Sequence, residues 1–335
     1  MKKHWKIVSA LLAFALAFTG TLSAADTGKV KIAILVKSLG NGFFEAARDG
    51  AQEAAKQLGD VEILYQGPSQ ATAEGQIEII DSLIAQKVQA IAISANDADA
   101  LVPATKRAMK AGIKVISFDS GISQAGRIVN LVPSQTDLIG AQQIQLVSDL
   151  IGGKGEIAIL SATSQATNQN AWIAVMKKTL ADPKYAGIKL DAVVYGDDSS
   201  DKSYREALGL FKSYPNLKGI IAPTTVGIAA TAKAIQDNGL TGKIQLTGLG
   251  LPSEMKAYID AGVCGEMALW NPIDLGYSAT YIAYSLVKGT VKGAAGDVVK
   301  AGRMGDITIG ANGESVMGTP FVFNKDNIAK FAAMF

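Results

Sequence analysis

The chain of 335 residues carries 32 Lys and Arg against 30 Asp and Glu, with 48% hydrophobic residues and 35 glycines. That balance excludes disorder and fibrous repeats, and it leaves little electrostatic attraction for nucleic acid, so no nucleic-acid partner is expected. His4 and Cys264 are the sole residues of their types, which excludes a histidine-based triad, a zinc site of several Cys or His ligands and an intramolecular disulfide.

Residues 1–25 open with Lys2, Lys3 and Lys6, run through an apolar stretch from Ile7 to Phe18 and end at Ser23-Ala24-Ala25. This is the order of a secretory signal peptide, and the stretch is shorter than the ~20 residues a membrane-spanning helix needs. Cleavage near Ala25 removes three lysines and no acid, leaving 29 basic against 30 acidic side chains, a net charge of −1. No L-x-x-C run closes the leader, and no later stretch reaches the ~18 apolar residues of a spanning helix. A soluble, unanchored protein of a bacterial periplasm or an extracellular fluid is expected, with Cys264 a small buried residue.

From residue 30 onward, apolar runs read as buried parallel strands at Val30 to Val36, Val61 to Tyr65, Ala90 to Ser94 and Lys114 to Asp119. Helical patterns at Phe43 to Leu58, Ala73 to Gln86 and Ala98 to Ala111 fill the gaps. A second set has strands starting near Glu156, Lys189, Gly219, Ile244 and Glu266. Its helices are predicted over Thr167 to Leu180, Lys202 to Ser213, Val226 to Asn238 and Ser253 to Ala261. Strand starts are 31, 29 and 24 residues apart in the first set and 33, 30 and 25 apart in the second. Two similar doubly wound, Rossmann-like α/β lobes account for the repeated rhythm.

Ligands of such sheets bind outside the carboxyl ends of the strands. The loops there run from Lys37 to Phe44, Ser94 to Asp97, Asp119 to Ile122, Ser161 to Asn170, Tyr195 to Asp198, Pro223 to Val226, Leu249 to Pro252 and Trp270 to Asp274. Amides, hydroxyls, a few carboxylates and two aromatic clusters dominate them, which suits neutral polyhydroxyl compounds better than phosphates. Lys37, Asn41, Phe43 and Phe44 offer donors to hydroxyls and ring faces to a sugar's C–H bonds. Neighbouring helical residues point about 100° apart, so one of the two phenylalanines is expected to turn into the core. Asp119, at a strand end, is placed to accept from two sugar hydroxyls. Asn168 and Gln169 open a helix, Pro223 and Thr225 end a strand, and Trp270 beside Asn271 forms a stacking platform at a crossover. Gly248-Leu249-Gly250-Leu251-Pro252-Ser253 lacks the third glycine of a dinucleotide loop, and Gly152-Gly153-Lys154-Gly155 leads from helix into strand, the reverse of a phosphate cradle. No cofactor and no metal are expected.

Leu39-Gly40-Asn41-Gly42-Phe43-Phe44, followed by Gly50-Ala51-Gln52-Glu53-Ala54-Ala55, resembles the ribose-type periplasmic sugar-binding proteins across essentially the whole mature chain. Five blocks in order narrow this: Lys37 to Phe44, Ser94 to Asp97, Tyr195 to Glu206, Thr247 to Met255 and Trp270 to Thr280 look like the rhamnose-binding components of bacterial ABC sugar importers. A sister family binds autoinducer-2 through Lys, Asp, Asp, Gln, Pro and Ala; the matching positions here are Lys37, Asp119, Asn168, Gln169, Pro223 and Thr225. Asn for the second carboxylate and Thr for Ala favour a pyranose over that furanosyl signal.

The resemblance implies a type I periplasmic binding protein, two lobes joined by a multi-crossing hinge near residues 131–134, 270–272 and 302–305. The lobes are expected at 26–132 plus 271–303 and at 133–270 plus 304–335. It implies a monomer that binds L-rhamnose in the interlobe cleft without chemistry and delivers it to the permease subunit in the inner membrane. The alternatives are an autoinducer-2 binder, or an exported glycosidase using Asp97, Asp119 or Asp198 as acid and base.

Overall fold

The computed structural model describes residues 28–335; the expected signal peptide, 1–25, lies outside the described residues. The first lobe begins with β1 (Val30–Leu35), α1 (Gly42–Leu58), β2 (Val61–Gln66), α2 (Ala73–Ala85), β3 (Ala90–Ile93), α3 (Val102–Lys110), β4 (Lys114–Phe118) and β5 (Val129–Ser134). The chain then crosses into α4 (Thr136–Ile151), β6 (Gly155–Ser161), α5 (Thr167–Leu180), β7 (Ile188–Tyr195), α6 (Ser200–Ser213), β8 (Leu217–Ala222), α7 (Thr225–Asp237), β9 (Gln245–Gly248), α8 (Pro252–Asp260) and β10 (Glu266–Leu269). It returns through α9 (Pro272–Lys288), β11 (Val298–Lys300), β12 (Asp306–Thr308) and β13 (Glu314–Gly318), and closes with β14 (Phe321–Asn324) and α10 (Ile328–Phe331).

The first sheet has the order β13-β5-β4-β3-β1-β2, all parallel. The second has the order β7-β6-β8-β9 and continues through a Leu249–Ala268 bridge to β10 and its antiparallel neighbour β14. The predicted α/β architecture of two doubly wound lobes is therefore the one observed. Parallel strands need cover on both faces, which explains their continuous apolar runs. In β1 the side chains alternate: Ile32 and Ile34 join the core beneath α1 and α9, and Ala33 and Leu35 join the one beneath α2 and α3.

Three expectations change. The third crossing does not fall at 302–305, because β13 pairs in register with β5, Glu314 opposite Asn130. The segment through Gly318 thus completes the first sheet, and the chain crosses between β13 and β14, so residues 304–318 do not belong to the second lobe. The helix expected from Ala98 begins at Val102, because the Asp97 carboxylate accepts from the Asp99 and Ala100 N–H groups and holds a turn there. Helices α4 and α9 were not expected. In α9 almost every residue from Leu275 to Ile282 is buried, so there is no amphipathic stripe to reveal it.

Two glycines let α1 and α9 cross closely. A Cβ at Gly50 would stand 1.9 Å from the Ile273 carbonyl oxygen, and one at Gly276 would stand 1.9 Å from that of Ala47. Cys264 is fully buried, as expected from the sequence.

Candidate functional site

The strand ends of both sheets face one another across a cavity. Lys37 follows β1, and Asn41, Phe43 and Phe44 start α1. Asp119 follows β4. From the other lobe come Asn168, Gln169 and Trp172 on the first turns of α5, Asp198 after β7, Pro223, Thr224 and Thr225 after β8, and Leu249 after β9; Leu269 and Trp270 end β10. Of the side chains expected from sequence, Lys37, Asn41, Phe43, Phe44, Asp119, Asn168, Gln169, Pro223, Thr225 and Trp270 all line this cavity.

Asn271 does not line it. Its side chain accepts from the Ile273 N–H at 2.9 Å and caps α9, so its place in the site is withdrawn. The expectation that one phenylalanine turns into the core holds for both, which are 5% and 3% exposed, although both also border the cavity. Their rings meet edge to face at a centroid distance of 5.2 Å. The array continues from Phe43 to Trp270 at 6.2 Å and from Trp270 to Trp172 at 5.8 Å.

Hydrogen bonds between polar side chains cross from one lobe to the other. The Lys37 ammonium, 4% exposed, donates to Asn168 Oδ1 at 2.9 Å, and Asn168 Nδ2 donates to Asp119 Oδ1 at 3.4 Å. Ser94 Oγ donates to Asp119 Oδ2 at 2.7 Å. The Thr224 hydroxyl donates to the Asp198 carboxylate, and the Thr225 hydroxyl reaches Asn41 Oδ1 at 3.5 Å. Gln169 Oε1 is occupied by Ser161 Oγ and the Ala162 N–H, at 2.6 and 2.8 Å, so Gln169 presents its amide nitrogen to the cavity. The indole Nε1 of Trp270 has no partner, although the residue is only 8% exposed. A buried donor left unpaired costs free energy, which an acceptor reaching it would relieve.

Backbone geometry aims both carboxylates. Asp119 has φ +60° and sits in a reversal so tight that the Ser120 N–H reaches the Phe118 carbonyl at 2.6 Å. Asp197 and Asp198 have φ +53° and +49°. Few residues other than glycine adopt such angles, Asp and Asn among them, and the strain concentrates at functional sites. Burial pushes the Asp119 carboxyl above the usual carboxylate range; the Lys37 ammonium and the Ser94 hydrogen bond oppose the rise, and Asp198 adds to it. Burial also raises Asp198, against the Thr224 hydrogen bond and Lys37 and with help from Asp197.

Trp172, Asp198, Thr224, Leu249 and Leu269 line the cavity without having been assigned to it. Most of them carried a usable signal: Thr224, Asp198 and Leu249 lie in the loops at strand ends, and Trp172 is four residues beyond Asn168, one turn along the same helix face. The second glycine-bearing run has a packing explanation. Gly248, at φ +150°, would place a Cβ 2.0 Å from the Ala222 carbonyl oxygen, so glycine there permits the close approach of β8 and β9 beside the cavity.

A model of the periplasmic binding protein domain matches residues 32–290. An ABC transporter solute-binding protein from Clostridium phytofermentas, solved with bound L-rhamnose, is 44% identical, with a TM-score of 0.88 over 92% of this chain and 99% of that one. The D-allose-binding periplasmic protein of Escherichia coli K12 is 26% identical over 284 residues, 82% of this chain and 89% of that protein. LsrB from Clostridium saccharobutylicum, solved with AI-2, shares 24% identity at a TM-score of 0.86 over 90% of this chain and 99% of that one, a likeness of fold alone. The matched span takes in every side chain that lines the cavity, and the chain belongs to the periplasmic binding protein domain family, with its type I fold.

Proposed function

We propose that the mature chain is the periplasmic solute-binding component of an ABC sugar importer, and that as a monomer it holds L-rhamnose between its lobes and passes it to a membrane permease. The observation that carries the sugar reading is the mixed lining of the cavity. A hydrogen-bonded chain from Lys37 through Asn168 to Asp119 shares it with an aromatic array whose Trp270 N–H is unpaired. A pyranose satisfies both, with hydroxyls donating to the carboxylates and C–H faces against the rings. The rhamnose-bound relative at 44% identity supports the choice of sugar. Ligand contacts to both lobes favour the closed form over the open one, and that difference reports occupancy to the permease.

The relatives from Clostridium phytofermentas and Escherichia coli are binding proteins by name. Calorimetric titration of the mature protein with a panel of free monosaccharides tests the proposal. L-rhamnose is expected to bind best and to be recovered unchanged; hydrolysis of rhamnosides, or no heat with any sugar, would overturn it.

A pH dependence follows from the raised Asp119 and Asp198 carboxyls. Sugar hydroxyls donate to the ionised forms, so binding lowers both pKa values and releases protons. Affinity is therefore expected to rise with pH through the window just above the usual carboxylate range and then level off. Titrations in buffers of different ionisation enthalpy measure the proton release; proton uptake on binding would contradict it.

Asn168 also bears on the choice against autoinducer-2. A carboxylate there would face Asp119 where the Asn168 amide now donates, and like charges in a desolvated site repel. Asn168→Asp is expected to weaken L-rhamnose binding by at least about tenfold, the 1.4 kcal/mol scale of one such contact. Unchanged affinity would remove Asn168 from the site, and a gain for autoinducer-2 with Thr225→Ala added would identify these two positions as the selectivity switch.

A further inference from the structure

We infer that the cavity selects a sugar lacking the hydroxyl on carbon 6, and that Leu249 and Leu269 set this selectivity; the inference rests on the monosaccharide reading above. Three of the hydrogen-bonding side chains of the cavity, Lys37, Asn168 and Asp119, are joined in a chain that Ser94 anchors from behind Asp119. The backbone of Leu249 pairs with Ala268, the residue before Leu269, which brings the two leucines onto neighbouring strand ends. Leu249 and Leu269 are 3% and 1% exposed and both line the cavity.

Their side chains present only carbon, and the Leu249 N–H is already donated to the Ala222 carbonyl at 3.0 Å. A hydroxymethyl group packed against the Leu249 and Leu269 side chains would lose water and gain no hydrogen bond from either, whereas a methyl group would replace water with dispersion contacts. A hexose must place its exocyclic carbon somewhere. With its ring hydroxyls held by the polar chain, the leucine wall is the part of the cavity suited to that carbon in its deoxy form.

Three sugars isolate the effect, because they share the ring hydroxyl pattern and differ only at this carbon: L-rhamnose carries methyl, L-mannose hydroxymethyl and L-lyxose hydrogen. Titration of the wild-type protein is expected to show L-rhamnose bound about ten- to a hundredfold tighter than either of the others, the range that one methyl or one unpaired hydroxyl commands in an apolar pocket. Leu249→Asn is expected to narrow or reverse the preference over L-mannose while the protein still binds sugar. Equal wild-type affinities for L-rhamnose and L-mannose would overturn the inference and leave the monosaccharide reading intact. Failure of all three sugars to bind would overturn both. A Leu249→Asn protein that binds both sugars with the wild-type ratio would remove Leu249 from the selectivity.

Discussion

Replacing Asp119 by alanine is expected to weaken L-rhamnose binding by about 10² to 10⁴-fold, the equivalent of two charge-assisted hydrogen bonds of about 1.5 to 3 kcal/mol each. The fold should not suffer. The Asp119 carboxyl is harder to ionise in the folded chain than in the unfolded one, so its ionisation works against folding. That unfavourable contribution is absent below the ordinary carboxylate pKa, grows as pH rises towards the raised value, and is complete above it. Against that gain stand the positive φ, the Ser94 and Asn168 hydrogen bonds and the buried Lys37 charge left without its partner, so at neutral pH the Asp119→Ala protein should melt close to wild type in the absence of sugar. Calorimetry and a thermal melt together decide the matter. Wild-type affinity would take Asp119 out of the site, and a melting temperature several degrees lower would make it part of the scaffold.

The largest loss of stability is expected from Gly276→Ala. Helix propensity favours alanine by up to about 1 kcal/mol, but the new Cβ would lie 1.9 Å from the Ala47 carbonyl oxygen, and a backbone atom cannot swing aside as a side-chain end can. Moving α9 off α1 disturbs the core that covers β1, β3 and β4, and overpacking of this kind costs about 3 kcal/mol. The clash outweighs the propensity gain, so denaturant melts should show net destabilisation of about 2 kcal/mol. Gly209, on α6, supplies the opposite case: a Cβ there meets nothing within 4 Å. Gly209→Ala should be neutral or stabilising by up to about 1 kcal/mol. If both substitutions behaved alike, the close crossing of α1 and α9 would not be what requires glycine at 276.

The strands that build the two sheets were legible because each is a short apolar run between turn residues, and the repeat of their spacing revealed two lobes. Residues at strand ends were legible for the same reason, which is why ten expected side chains converge on one cavity. What sequence did not reveal depends on contacts between distant segments. The pairing of β13 with β5 joins residues about 180 apart, and nothing local in Glu314 to Gly318 announces it. Asn271 illustrates the opposite error: a side chain in the right loop satisfied a local backbone donor, a role that Asn41 fills while still lining the cavity. Leu269, inside an apolar strand, gives no sign of the site, because an apolar wall of a binding site carries the same sequence signature as the interior.

Small-angle scattering of the mature protein, with and without saturating L-rhamnose, tests most directly that the sugar is gripped between the lobes. The radius of gyration is expected to fall on addition of L-rhamnose and to stay unchanged for Asp119→Ala under the same conditions. Saturable binding of the sugar with no compaction of the wild-type protein would contradict the account.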